Sequence, residues 1–178
     1  MIGRAAAFLD RDGVLNRSFL IGGVQTPPWQ VADLELLPGV VEACSRLSEA
    51  GRLLIVVTNQ PDVRRGDLPL AVLEAIHARL QDLLPVDDIR VCVHDDMDDC
   101  PCRKPRPGMI LDAARVHDVD LDRSVMVGDQ WKDMEAARQA GVRSILVAPT
   151  GHMDPRSDPD FTFPSLADAV EPILALTE

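Results

Sequence analysis

Lysine is scarce in this 178-residue chain: only Lys104 and Lys132 stand beside sixteen arginines. Lys+Arg total 18 against 29 Asp+Glu, a formal net charge of −11, and there is no basic stripe to displace counterions. Nucleic acid is therefore not the expected partner. Long apolar runs are missing too. None approaches the roughly 20 residues of a membrane span, so no membrane partner is expected either. The amino terminus lacks a secretory leader pattern, because strand-like residues from Ala5 run straight into acidic ones. A cytoplasmic location is the default. Internal repeats, low-complexity segments and the length for two domains are also lacking. The expectation is one domain over 1–178, acting as a monomer.

The chain is organised around Phe8-Leu9-Asp10-Arg11-Asp12-Gly13. The apolar run Ala5–Leu9 reads as a buried strand ending at two carboxylates, and Gly13 lets the backbone turn away. In an α/β fold, ligands bind at the carboxyl ends of strands. Further strands are predicted over Leu53–Val57, Ile89–Val93, Ser124–Val127 and Ser144–Ala148, with a short one at Phe161–Phe163. Between them lie helical patterns. The first is bracketed by Pro38 and Gly51, with an apolar face of Val40, Val41, Cys44 and Leu47; Cys44 belongs to the core. The second is capped by Asp67 and runs to Leu84, with His77 beside its stripe and expected to be solvated or half-buried. Others open at Pro107, at 130 and at Ser165. Strands alternating with helices predict a parallel sheet with right-handed crossovers. Residues 14–37 show no sustained period and read as a long loop beside the acids, a lid or specificity loop.

Parallel strands bring Asp10/Asp12, Thr58/Asn59, Arg103-Lys104 and Asp129/Asp133 to one sheet edge. The set fits phosphoryl transfer to a carboxylate. Asp10 is the expected nucleophile, and Asp12 the acid that protonates the leaving alkoxide and then deprotonates water. Thr58 and the Asn59 amide would hold phosphoryl oxygens and Lys104 would balance their charge. A divalent cation would offset the repulsion between anions. Asp10, the backbone carbonyl of Asp12, and Asp129 suit magnesium (Mg2+), with Asp133 orienting the metal or a lysine from behind.

A second constellation is local. Cys92-Val93-His94, five residues, then Cys100-Pro101-Cys102 puts three thiolates and an imidazole in an eleven-residue window. That composition suits a closed, structural zinc (Zn2+) site pinning the loop that carries Arg103 and Lys104. The acidic run Asp95–Asp99 is expected to be its solvated flank.

Taken in order, these motifs resemble the haloacid dehalogenase (HAD) superfamily of phosphatases. Asp10-Arg11-Asp12-Gly13 matches its first motif, Thr58 the second, Lys104 the third and Gly128-Asp129…Asp133 the fourth. With Cys-x-His and Cys-x-Cys-Arg-Lys-Pro, the chain resembles the branch holding D-glycero-D-manno-heptose-1,7-bisphosphate 7-phosphatases and histidinol-phosphatase domains. The resemblance implies a Rossmann-like α/β fold with helices on both faces, no cap domain, and a zinc loop at 92–104. It implies a small phosphorylated sugar as substrate, bound by Asn59, Gln60, Arg103 and Gln130. Histidinol phosphate is the alternative substrate, and a catalytically silent zinc-bearing scaffold the alternative class. Several positions depart from the branch: Pro61-Asp62 replaces Ser-Gly after motif two, Gln130 replaces a frequent lysine, and the zinc loop is shorter. Trp29, Trp131, Arg64 and Arg65 are further candidates for contact with substrate or a second phosphate; packing or solvation is the alternative for each. Lys132 has no motif role and reads as a surface charge.

Overall fold

The structure is a computed structural model that describes residues 3–21 and 24–176. Gly22 and Gly23, part of the expected 14–37 loop, lie outside the described residues. In chain order come β1 (Ala6–Leu9), β2 (Phe19–Ile21), β3 (Val24–Thr26), α1 (Val40–Glu49), β4 (Leu53–Asn59), α2 (Asp62–Arg65) and α3 (Leu70–Leu83). Then follow β5 (Asp88–Cys92), α4 (Gly108–His117), β6 (Val125–Gly128), α5 (Trp131–Ala140), β7 (Arg143–Val147), β8 (Phe161–Phe163) and α6 (Leu166–Ala175).

Six strands form one sheet in the order β5-β4-β1-β6-β7-β8, and every pairing is parallel. β1 lies inside the sheet, with all four side chains buried, as a strand covered on both faces requires. The period-2 alternation sorts its neighbours cleanly. Ala7, Leu9, Leu54, Val56, Val125 and Val127 pack with the buried faces of α1, α3 and α6. Ala6, Phe8, Leu53, Ile55, Val57 and Met126 pack with α4 and α5. The chain leaves β1 for β4 on one side and β6 on the other, so the carboxyl end of β1 is where a crevice opens.

Three local expectations change. Val41 is 51% exposed, because the α1 stripe is Val40, Ala43, Cys44 and Leu47 and residue 41 faces outward. Cys44 is buried as expected, and burial pushes its thiol up to about 12. Asp67 does not cap α3. The helix starts after Pro69, whose missing N–H and fixed φ suit that entry. The amides of Asp67 and Leu68 close instead on the Asp62 carbonyl, completing α2, a short helix without a sequence signature. The 14–37 segment is not a structureless loop: Val14, Leu15 and Asn16 are buried, β2 and β3 pair antiparallel, and Val31–Asp33 forms a 3-10 turn.

Candidate active site

Asp10 follows the last residue of β1 and still pairs with the sheet, its N–H donating to the Val127 carbonyl at 2.9 Å. Its Oδ1 accepts from the Arg11 amide at 2.8 Å and lies 3.0 Å from Lys104 Nζ. Lys104 is 3% exposed and also meets Asp133 Oδ1 at 2.6 Å and the Val57 carbonyl at 2.9 Å. The second Asp133 oxygen accepts from the Gln130 amide at 3.0 Å, at the start of α5. Carboxylate oxygens of Asp10, Asp129 and Asp133 lie within 4.8 Å of one another. Two glycines make the packing feasible. A Cβ on Gly13, at φ +88°, would stand 2.2 Å from Asp129 Oδ2, and one on Gly128 would stand 2.2 Å from Asp133 Cβ.

The charge balance is one-sided. Burial pushes the Asp10 carboxyl well above its usual range, Lys104 pulls the other way, and Asp133, Asp129 and Asp12 add to the rise. Burial also works against the charge on Lys104, but Asp10 and Asp133 outweigh it and hold the ammonium above its usual range. Clustered carboxylates around one ammonium, all oxygen donors, fit a hard divalent cation such as magnesium. Its positive charge would reverse the rise at Asp10.

Asp12 stands beside this group, gripped by three side chains. Arg11 reaches both its oxygens through Nη2, at 3.1 and 3.0 Å, and Oδ1 also through Nε at 3.3 Å. Asn16 Nδ2 donates to Oδ1 at 2.9 Å and Gln60 Nε2 to Oδ2 at 2.8 Å. Gln60 also donates to Thr58 Oγ1 at 2.9 Å and is only 1% exposed. It sits behind Thr58 and is not among the residues lining the cavity, where the substrate-binding set was expected. The Asn59 side chain makes a reciprocal pair with the Lys104 backbone, at 3.0 and 3.1 Å, tying the end of β4 to the lysine's loop.

These groups open onto a cavity of about 390 Å³, lined by Asp10, Asp12, Thr58, Asn59, Arg103, Lys104 and Gln130 among others. Trp29, Arg65 and Lys132 line it too, whereas Arg64 and Trp131 do not. Trp131 instead packs under the Arg156 guanidinium, 4.4 Å from its ring centre.

Cys92, His94, Cys100 and Cys102 converge as expected. Cys92 Sγ lies 3.5 Å from His94 Nδ1, 3.6 Å from Cys100 Sγ and 3.2 Å from Cys102 Sγ. Cys102 Sγ lies 3.3 Å from His94 Nδ1 and 3.4 Å from Cys100 Sγ. Tetrahedral zinc, with Zn–S about 2.3 Å, sets ligand–ligand edges of roughly 3.5–3.8 Å, so these four free donors fit it closely. The acidic flank is not merely solvated. Asp95 pairs with Arg65 at 2.7 Å, Asp96 with Arg103 at 2.7 Å, Asp98 with Arg64 at 3.3 Å, and Asp99 with Arg106. Arg103 Nη1 also donates to the His94 carbonyl at 3.1 Å, so the loop holds the arginine at the cavity wall.

Known proteins resemble this chain in sequence and in fold. A HAD-hydrolase-like family model matches residues 101–169. The D-glycero-D-manno-heptose-1,7-bisphosphate 7-phosphatase of Thermosynechococcus vestitus is 38% identical, over 94% of this chain and 94% of that protein. The chain belongs to this family of HAD-like phosphatases. Another heptose-bisphosphate phosphatase, from Bordetella bronchiseptica, is 42% identical over 78% of each chain. A crystal structure of D,D-heptose 1,7-bisphosphate phosphatase from B. bronchiseptica, complexed with magnesium and phosphate, superposes with a TM-score of 0.80. It is 33% identical to this chain and covers 96% of it and 98% of the crystallised one. HAD-like phosphatases of this family are phosphoric monoester hydrolases.

Three residues near the site have no role in the motifs. Arg11 lay inside the first motif without a role, yet it is fully buried against Asp12. His77, expected to be solvated or half-buried, is 9% exposed and lies 3.0 Å from Arg11 Nη1. Lys132 lines the cavity; its rarity, one of two lysines, was the available signal.

Proposed function

We propose that this chain is a magnesium-dependent phosphatase that removes the 7-phosphate of D-glycero-D-manno-heptose 1,7-bisphosphate through an aspartyl-phosphate at Asp10. The observation that carries this reading is Asp10 at the cavity wall, 3.0 Å from a buried lysine and grouped with Asp129 and Asp133. The names of its relatives supply the substrate. Magnesium held by Asp10, Asp129 and the Asp12 backbone carbonyl supplies positive charge that lets one anion approach another.

The Asp10 carboxylate attacks phosphorus, and the bond to the sugar oxygen breaks. Thr58 and the Asn59 amide hold the phosphoryl oxygens, and the Lys104 ammonium offsets their charge. Asp12, paired with Arg11 as a carboxylate, takes up a proton from solvent before the step and gives it to the leaving alkoxide. It then takes one from the water that attacks the aspartyl-phosphate, regenerating Asp10. Asp133 keeps Lys104 in place through their 2.6 Å contact. Gln60, placed behind Thr58, positions Asp12 rather than touching substrate. Arg103 and Gln130, at the cavity wall, recognise the sugar phosphate. Cys92, His94, Cys100 and Cys102 would hold a structural zinc, which would fix the loop bearing Arg103 and Lys104.

The chain acts as one domain over 1–178 and as a monomer in the cytoplasm, with no nucleic-acid or membrane partner. Among the described residues no helix is long and apolar enough to cross a membrane. The 14–37 segment, with its hairpin and Trp29, is the specificity element. The test is phosphate release with and without magnesium from heptose 1,7-bisphosphate beside histidinol phosphate. Preference for the heptose supports the reading. Preference for histidinol phosphate moves the substrate, magnesium-independent release overturns the metal's role, and absent release leaves only a zinc-bearing scaffold.

A further inference from the structure

Among the described residues Arg11 is the largest fully buried side chain, and it carries a charge. Such a group needs a partner for its donors. Nε and Nη2 face Asp12, and Nη1 lies 3.0 Å from Nε2 of His77, in the middle of α3. A guanidinium has donors only, so His77 Nε2 is the acceptor and the ring is neutral with its proton on Nδ1. Burial, followed by the charge on Arg11, lowers the His77 pKa to about 4, so the ring stays neutral at physiological pH.

We propose that His77 is a positioning residue for catalysis: by accepting from Arg11 Nη1 it fixes the guanidinium that aims Asp12 at the leaving oxygen. The inference rests on Asp12 being the acid of the reaction. His77 lies outside every catalytic motif and reaches the acid only through Arg11. Without the acceptor, Arg11 retains its charge and its pairing with Asp12, but one of the contacts fixing its plane is gone. The carboxyl then samples orientations that miss the leaving oxygen.

This predicts a signature that general loss of structure does not give. A sugar alkoxide leaves poorly and needs a proton, whereas p-nitrophenolate leaves readily without one. The experiment compares His77→Met, which fills the space without a ring acceptor, with His77→Gln, which keeps an acceptor. Both are assayed beside Asp12→Ala on heptose 1,7-bisphosphate and on p-nitrophenyl phosphate. The ratio of kcat/KM for the two substrates in one preparation does not depend on the folded fraction. His77→Met should lower that ratio about tenfold, mainly through kcat on the bisphosphate, a tenth or less of a full acid contribution of about 10²–10⁴. His77→Gln should restore most of it. Asp12→Ala should lower the ratio further. If Asp12→Ala shifts the ratio but His77→Met does not, or if His77→Gln shifts it as much as His77→Met, the role of His77 is overturned. If Asp12→Ala itself leaves the ratio unchanged, the reading of Asp12 fails and the inference falls with it.

Discussion

The carboxylate site and the sulfur cluster sit on neighbouring parts of one sheet edge but are built in opposite ways. Cys92, His94, Cys100 and Cys102 come from eleven consecutive residues, and their donors meet within one loop. Asp10, Thr58, Lys104 and Asp129 come from separate strand ends and loops, and the order of the sheet brings them together, Asp10, Thr58 and Lys104 at the cavity wall and Asp129 beside Asp10. The first is a local property of composition and spacing; the second is a property of topology. The two meet at Arg103 and Lys104, directly after Cys102, where the local cluster delivers the cation that the distant carboxylates require.

Several experiments sharpen or break this division. The largest effect is expected from Asp10→Asn, which should lower phosphate release by about 10⁴-fold or more while leaving zinc content unchanged. Loss of zinc from that variant would show that the two sites are not separate.

Acid stability separates them in another way. The His77 pKa falls from 6.5 to about 4 on folding. Between those values the unfolded chain therefore binds a proton that the folded one does not. Its contribution is full above pH 6.5 and is lost as pH falls toward 4, up to about 3 kcal/mol. Denaturant titrations should show His77→Gln losing less stability over that window than the parent protein. Equal slopes would place His77 outside the buried network.

Disrupting the cluster, by Cys102→Ser or by chelation, should lower kcat/KM about 10–100-fold through misplacement of Arg103 and Lys104. The thermal midpoint should fall with it. Full activity in the zinc-free protein would uncouple the two regions. The smallest effect is expected at the exposed arginines. Arg64→Ala should change kcat/KM by about threefold or less, since its pair with Asp98 is largely solvated, 63% exposed at the arginine. A larger change would draw Arg64 into substrate binding.

The same division explains what was legible in the chain. β1, β4 and β6 were readable because each is a continuous apolar run, and each ends at the polar residues that line the site. The zinc ligands were readable from composition alone. What stayed hidden depends on partners distant in sequence. His77 follows the apolar stripe of α3 by one position, and nothing near it signals that Arg11, 66 residues earlier, would bury beside it. Asp95 to Asp99 look like a solvated run until Arg64, Arg65, Arg103 and Arg106 are folded against them. Gln60 follows the motif residues in sequence, yet the turn after β4 directs its amide inward to Asp12 and Thr58. The hairpin of β2 and β3 has strands of three residues each, too short to set up a readable alternation.

The stereochemical course at phosphorus decides whether Asp10 is phosphorylated during the reaction. With an isotopically chiral phosphoryl group on the substrate, attack by Asp10 followed by attack of water inverts the centre twice, and net retention is the predicted result. Net inversion would mean that water displaces the sugar oxygen in one step and that no aspartyl-phosphate forms.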